Sequence, residues 1–241
     1  MADELAGLAR VTEPMREPIR AYAVLVRELA GSSAKALTLF GAIAADSFDP
    51  SRHTARSVLV LDNVDLPMLR RVSNHGVALG RKSISAPLVM TPKYIGASLD
   101  TFPLELIEIH QMHLTIFGEE FFDDLKFEDV HVRLQCEREL KTILIGLRQG
   151  LLAAAGRDKV ISALETDVGE GLTRTLRGML WLKGQKQAEP AGVVVTEVEK
   201  IIDRKLPGVR TALDPSGRHG WDEFQALYGD VEALGEIADA W

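Results

Sequence analysis

The sequence predicts an α/β domain followed by an all-helical domain. Three observations predict it. Short runs of branched apolar residues alternate with amphipathic stretches up to about residue 126. Strong helix formers with leucine stripes dominate after it. The break falls at the polar segment Phe127-Glu128-Asp129. The expected organisation is therefore an α/β domain with a mixed sheet over 1–126 and a helical bundle over 127–241.

In chain order, Ile19, Tyr22, Ala23, Val26, Leu29 and Ala30 recur at helical spacing, which predicts a helix over Met15–Ala30 with Thr12 as a cap. Leu37–Phe40 is short and apolar and runs into Gly41, a strand ending in a turn. Ser57-Val58-Leu59-Val60-Leu61 is the clearest strand, a branched apolar run suited to burial on both faces. Asp62, Asn63 and Asp65 offer caps for a helix over Leu66–His75. Pro87–Met90 reads as a third strand, and Thr91-Pro92 opens a helix. Phe102-Pro103 breaks that helix, and Leu104–Ile109 reads as a fourth strand within an apolar stretch reaching Ile116. Beyond 127, helices are expected over Val130–Ala155, Lys159–Leu182, Val193–Leu206 and Trp221–Ala240. Leu134, Ile143, Leu144, Leu147, Leu151, Leu180 and Trp181 are the expected core of that bundle.

Composition excludes several classes. The chain has 241 residues, 46% hydrophobic and 26% charged, with 28 basic and 35 acidic side chains and a net charge of −7. That balance argues against nucleic acid as a partner. A single cysteine, Cys136, allows no internal disulfide and no cysteine-rich zinc site. No segment reaches the roughly 20 apolar residues of a membrane helix, and the acidic start does not resemble a secretory signal. The expectation is a cytoplasmic protein without a membrane partner. There is no Gly-x-Ser-x-Gly elbow, no Walker loop and no dinucleotide glycine fingerprint.

The most informative stretch is Leu37-Thr38-Leu39-Phe40-Gly41-Ala42-Ile43-Ala44, a loop, and then Thr54-Ala55-Arg56-Ser57-Val58-Leu59-Val60-Leu61. Downstream come Leu88-Val89-Met90-Thr91-Pro92, Phe102-Pro103-Leu104-Glu105-Leu106-Ile107-Glu108-Ile109 and Ile116-Phe117-Gly118-Glu119. This order resembles the nucleotidyltransferase superfamily of kanamycin nucleotidyltransferase and the polymerase-beta-like enzymes. The resemblance covers about residues 15–125, and the helical half is similar to the partner domain often attached to that fold.

The resemblance implies a Gly-Ser turn that cradles phosphate and two carboxylates, two residues apart on the next strand, that hold Mg²⁺. In that register the serine is Ala42 and the carboxylates are Ala55 and Ser57, so all three groups are missing together. Glu105 stands where a third carboxylate would. The candidate site is therefore a degenerate cleft of Gly41, Ala42, Ser57 and Glu105, with no catalytic residue and no metal. No cofactor is expected, although weak metal-free nucleotide binding at the Gly41 turn is compatible with the loss. The expected function is a catalytically inactive binding or regulatory module. Its partner would be a nucleotide or small molecule, another protein or a second copy of the chain. The alternative is an active Mg²⁺-dependent enzyme using displaced acids such as Asp46, Asp49, Asp62 or Glu105.

Plainer readings stand beside these. Gly41 also fits a strand-end glycine. On a strand, Glu105 and Glu108 would face opposite ways, as would His110 and His113, so neither pair suggests a ligand set. His53 reads as a loop residue and Cys136 as a small buried apolar one. Arg174, Arg177, Lys183 and Lys186 read as a solvated helix face, and 217–220 as a flexible turn.

Overall fold

The computed structural model describes residues 3–45, 48–51, 53–214 and 220–241. The chain forms two compact units, one of Met1–Leu99 with Glu108–Lys126 and one of Asp100–Ile107 with Phe127–Trp241. The first is built on a mixed four-stranded sheet and the second is helical.

In the first unit, helix α1 (Glu13–Ala30) precedes strand β1 (Ala34–Phe40). Strand β2 (Arg56–Leu61) lies antiparallel to β1. Helices α2 (Leu66–Ser73) and α3 (Gly76–Gly80) lead to β3 (Leu88–Met90), which runs parallel to β2. Helix α4 (Pro92–Ala97) follows, then α5 (Pro103–Gln111), of which only Glu108–Gln111 belong to this unit, and β4 (His113–Gly118). The sheet order is β3-β2-β1-β4.

Local chemistry explains the starts. Asp65 accepts the Met68 N–H at 3.2 Å and Thr91 accepts the Tyr94 N–H at 3.1 Å, each capping a helix that has proline in its first turn. Thr12 occupies the cap position of α1 but makes no side-chain cap bond. Ile19, Tyr22, Ala23 and Val26 of α1 pack with Leu37, Leu39, Ala55, Leu59 and Leu61 in one buried cluster. Each such aliphatic side chain contributes about 1.5–3 kcal/mol by leaving water. Strand alternation therefore turns Ser57, Leu59 and Leu61 toward α1, and Arg56, Val58 and Val60 the other way.

The expected strand Leu104–Ile109 is a helix, α5, and β4 begins only at His113. Pro103 is its first residue, where a missing N–H costs nothing and φ is already helical. The preceding helix has already ended at Ala97, so the proline expected to break it instead opens the next one. Apolar positions 104, 106, 107 and 109 satisfy both periods in so short a run, and Leu104 and Ile107, three apart, join the core of the helical unit.

The second unit holds α6 (Asp129–Ala154), α7 (Asp158–Asp167), α8 (Gly169–Leu182), α9 (Ala191–Ile202), α10 (Pro207–Ala212) and α11 (Trp221–Asp239). Its core includes Leu140, Leu144 and Leu147 of α6, Leu172, Leu176 and Met179 of α8, Val194 and Val198 of α9, and Leu227, Val231 and Leu234 of α11. Leu180 and Trp181 are buried as expected, Ile143 and Leu151 pack at the edge, and Leu134 is exposed. The single helix expected over Lys159–Leu182 is two, divided at Val168 beside Gly169.

Candidate functional site

Strand β1 ends at Phe40, and Gly41 turns the chain with φ 72°, a conformation that favours glycine. The Gly41 N–H donates to the Met112 carbonyl at 2.9 Å, which fixes the turn to the entry of β4. Phe40 is the register partner of Arg56, so the two side chains leave the same face of the sheet. The Arg56 guanidinium lies 4.3 Å from the Phe40 ring centroid. It also forms a two-point ion pair with Glu108, Nη1 to Oε1 at 2.7 Å and Nη2 to Oε2 at 3.3 Å. A side chain at Gly41 would place its Cβ 3.7 Å from Arg56 Nη1 and 3.9 Å from Glu108 Oε1. The turn, the cation and the carboxylate therefore form one locus.

The expected site residues are placed differently from one another. Gly41 is at this locus, and Ala42 packs at the margin of the first unit's core. Ser57 points into the core, its hydroxyl 3.0 Å from Tyr22 Oη. Burial pushes the Tyr22 phenol up to about 12, with the Ser57 bond working in the opposite direction. Ala55 is fully buried and bridges to Ile84. Glu105 is on α5, not on a strand. It accepts from Arg174 Nη1 at 2.7 Å and from Gln135 Nε2 at 2.8 Å within the helical unit.

Arg56 and Glu108 meet at this turn, although the sequence pattern offers neither as a site residue and sets Glu108 aside with Glu105. The position between the two expected carboxylates faces the Gly41 turn, and the expected positions face α1. The signal was the alternation of β2, one residue out of the register that the resemblance suggested.

The displaced acids have other work. Asp62 pairs with Lys35 at 3.2 Å at the far end of β2, and Asp49 accepts from Ser51 N at 2.9 Å and Ser51 Oγ at 2.7 Å. Asp46, Arg52 and 215–219 lie outside the described residues. His53 Nδ1 accepts the Asp49 N–H at 3.2 Å. Burial pushes the Cys136 thiol up to about 12, which makes it an inert core group. Lys183 lies 3.7 Å from the Trp241 ring centroid, and Lys186 lies 4.6 Å from that of Trp181. Among the described residues, the one group of three histidine, cysteine or carboxylate ligands close enough to share an ion is His113, Glu120 and Asp123.

The chain matches no protein-family model and no curated protein. It is similar in structure to a crystal structure of spectinomycin adenyltransferase from Enterococcus faecialis with ATP and spectinomycin. The TM-score is 0.59 at 9% identity, over 92% of this chain and 98% of that one. The two chains share a fold, an α/β unit on a mixed sheet with a helical unit. Within that fold, the Gly41 turn of this chain carries an Arg–Glu pair. No helix among the described residues is long and apolar enough to cross a membrane.

Proposed function

We propose that this protein is a cytoplasmic nucleotidyltransferase-like binding or regulatory module, which holds a nucleotide or another phosphate-bearing small molecule without transferring it. The observation that carries this reading is the Arg56–Glu108 pair beside Gly41. Phosphoryl-type transfer is mostly positioning and neutralisation of charge by metal ions. Those ions need carboxylates whose charge is free to meet them. Here the Glu108 charge is already met by a guanidinium, and a second cation would meet Arg56 as a like charge.

The same guanidinium suits an anion. It is planar, permanently charged and, with its side chain 42% exposed, open to solvent on one side. Glu108 takes two of the five guanidinium N–H donors, and the other three could donate to a phosphate at the turn. The related adenyltransferase was solved with ATP and a small molecule, which supports a nucleotide as the ligand class.

The test is transfer itself. The purified chain is incubated with α-labelled ATP, Mg²⁺ and a mixture of small-molecule and protein acceptors. The reading expects no labelled product. A labelled product that requires Mg²⁺ and disappears in Glu108→Gln overturns it.

A further inference from the structure

The entry of β4 and the loop after it bring together His113, Glu120 and Asp123, whose ligand atoms all lie within 4.8 Å of one another. The His113 side chain is nine-tenths buried, at 9% exposure. Its Nδ1 lies 2.9 Å from the Ile109 carbonyl and 3.2 Å from that of His110. A carbonyl can only accept, so Nδ1 carries a proton and Nε2 is the ring nitrogen that faces the carboxylates. It lies 3.2 Å from Glu120 Oε1 and 3.3 Å from Asp123 Oδ1. Two carboxylate oxygens converge on one imidazole nitrogen, an arrangement that a shared cation stabilises.

We propose that His113, Glu120 and Asp123 form a binding site for a divalent transition-metal ion of the zinc type. Zinc ligands at about 2.0–2.2 Å in a tetrahedron are separated by about 3.3–3.5 Å along each edge. The two Nε2–carboxylate separations, 3.2 and 3.3 Å, are close to that edge. One imidazole nitrogen and two carboxylate oxygens form a borderline donor set that suits Zn²⁺ over Mg²⁺, with water completing the shell.

The supporting contacts are those a metal site uses. The Nδ1–H bond to backbone carbonyls orients the imidazole and raises the basicity of Nε2. Thr115 Oγ1 donates to Glu120 Oε2 at 2.6 Å, and the Phe122 N–H donates to Glu120 Oε1 at 2.9 Å, which holds the carboxylate in place. The Phe122 ring packs edge-on to the imidazole, with centroids 5.9 Å apart. Asp123, 71% exposed, stands on the solvent side and gives an ion its way in.

The experiment uses the untagged full chain, stripped with EDTA and dialysed. It is titrated with Co²⁺ by visible absorption and with Zn²⁺ by calorimetry. One Co²⁺ is expected per chain, with the intense visible band of a four- or five-coordinate ion, displaced by Zn²⁺ and not by excess Mg²⁺. His113→Gln and Asp123→Asn should each weaken binding at least about tenfold. Asp123→Asn changes an exposed side chain and keeps the test decisive if His113→Gln fails to fold. Wild-type protein that binds Co²⁺ and Zn²⁺ no better than Asp123→Asn overturns the proposal.

Discussion

Arg56 Nη1 and Glu108 Oε1 lie 2.7 Å apart beside the Gly41 turn, and the second guanidinium nitrogen reaches the second carboxylate oxygen at 3.3 Å. The pair ties β2 to α5 within the first unit. Arg56→Ala removes both bonds from a carboxylate whose side chain is only 11% exposed. The expected loss is about 1–3 kcal/mol, read as a lower urea midpoint. Arg56→Lys keeps the charge but not the two-point geometry, and should recover less than half of that.

Gln135 links two elements of the helical unit. Its Oε1 accepts the Leu104 N–H at 2.8 Å and its Nε2 donates to Glu105. Gln135→Leu fits the buried site in volume but strips the acceptor from Leu104. A cost of about 2 kcal/mol is expected in chemical denaturation.

Gly208, the second residue of α10, lies against the backbone of α11. A Cβ there would lie 2.0 Å from Leu227 N and 2.3 Å from the Ala226 carbonyl carbon. Gly208→Ala must push the two helices apart and should cost about 3 kcal/mol or more. Gly229→Ala, on the same α11 with no neighbouring atom near its Cβ position, should instead stabilise by about 0.5–1 kcal/mol. Thermal denaturation of the two variants gives opposite signs.

Glu199 is buried on α9. The Arg210 guanidinium holds its carboxyl down at about 2, helped by the Leu206 N–H and by Lys205, with burial opposing them. The folded value lies below the ordinary carboxylate value of 4.5, so the stabilisation is present above about 4.5 and is lost as the pH falls toward about 2. Solvent on the Arg210 side screens the pair, and about 1–2 kcal/mol is expected from it. Urea midpoints of wild type and Glu199→Gln should therefore converge between pH 4.5 and 2.

Strands β1 to β3 were legible because each is a branched or apolar run between turn signals, and local pattern is enough for such runs. The segment 103–111 was not, because its apolar positions fit both a strand and a helix, and tertiary burial of Leu104 and Ile107 decided between them. Of the expected site residues, Gly41 lies beside the Arg56–Glu108 pair, Ser57 faces α1 and Glu105 lies in the helical unit. Which face of β2 meets α1 is a fact of packing that the local pattern does not fix. His113 was read with His110, its sequence neighbour at three residues, whereas its acidic neighbours come from the loop that follows β4.

In the proposed reading Arg56, and not a metal ion, is the cation at the Gly41 turn. The most direct measurement is the affinity for ATP by calorimetry, with and without Mg²⁺, on the wild-type chain and on Arg56→Ala. The account expects ATP binding without Mg²⁺, no more than about twofold tightening when Mg²⁺ is added, and at least about tenfold weakening in Arg56→Ala, the size of a lost charge-assisted contact. Binding that appears only with Mg²⁺ and is unchanged in Arg56→Ala contradicts it.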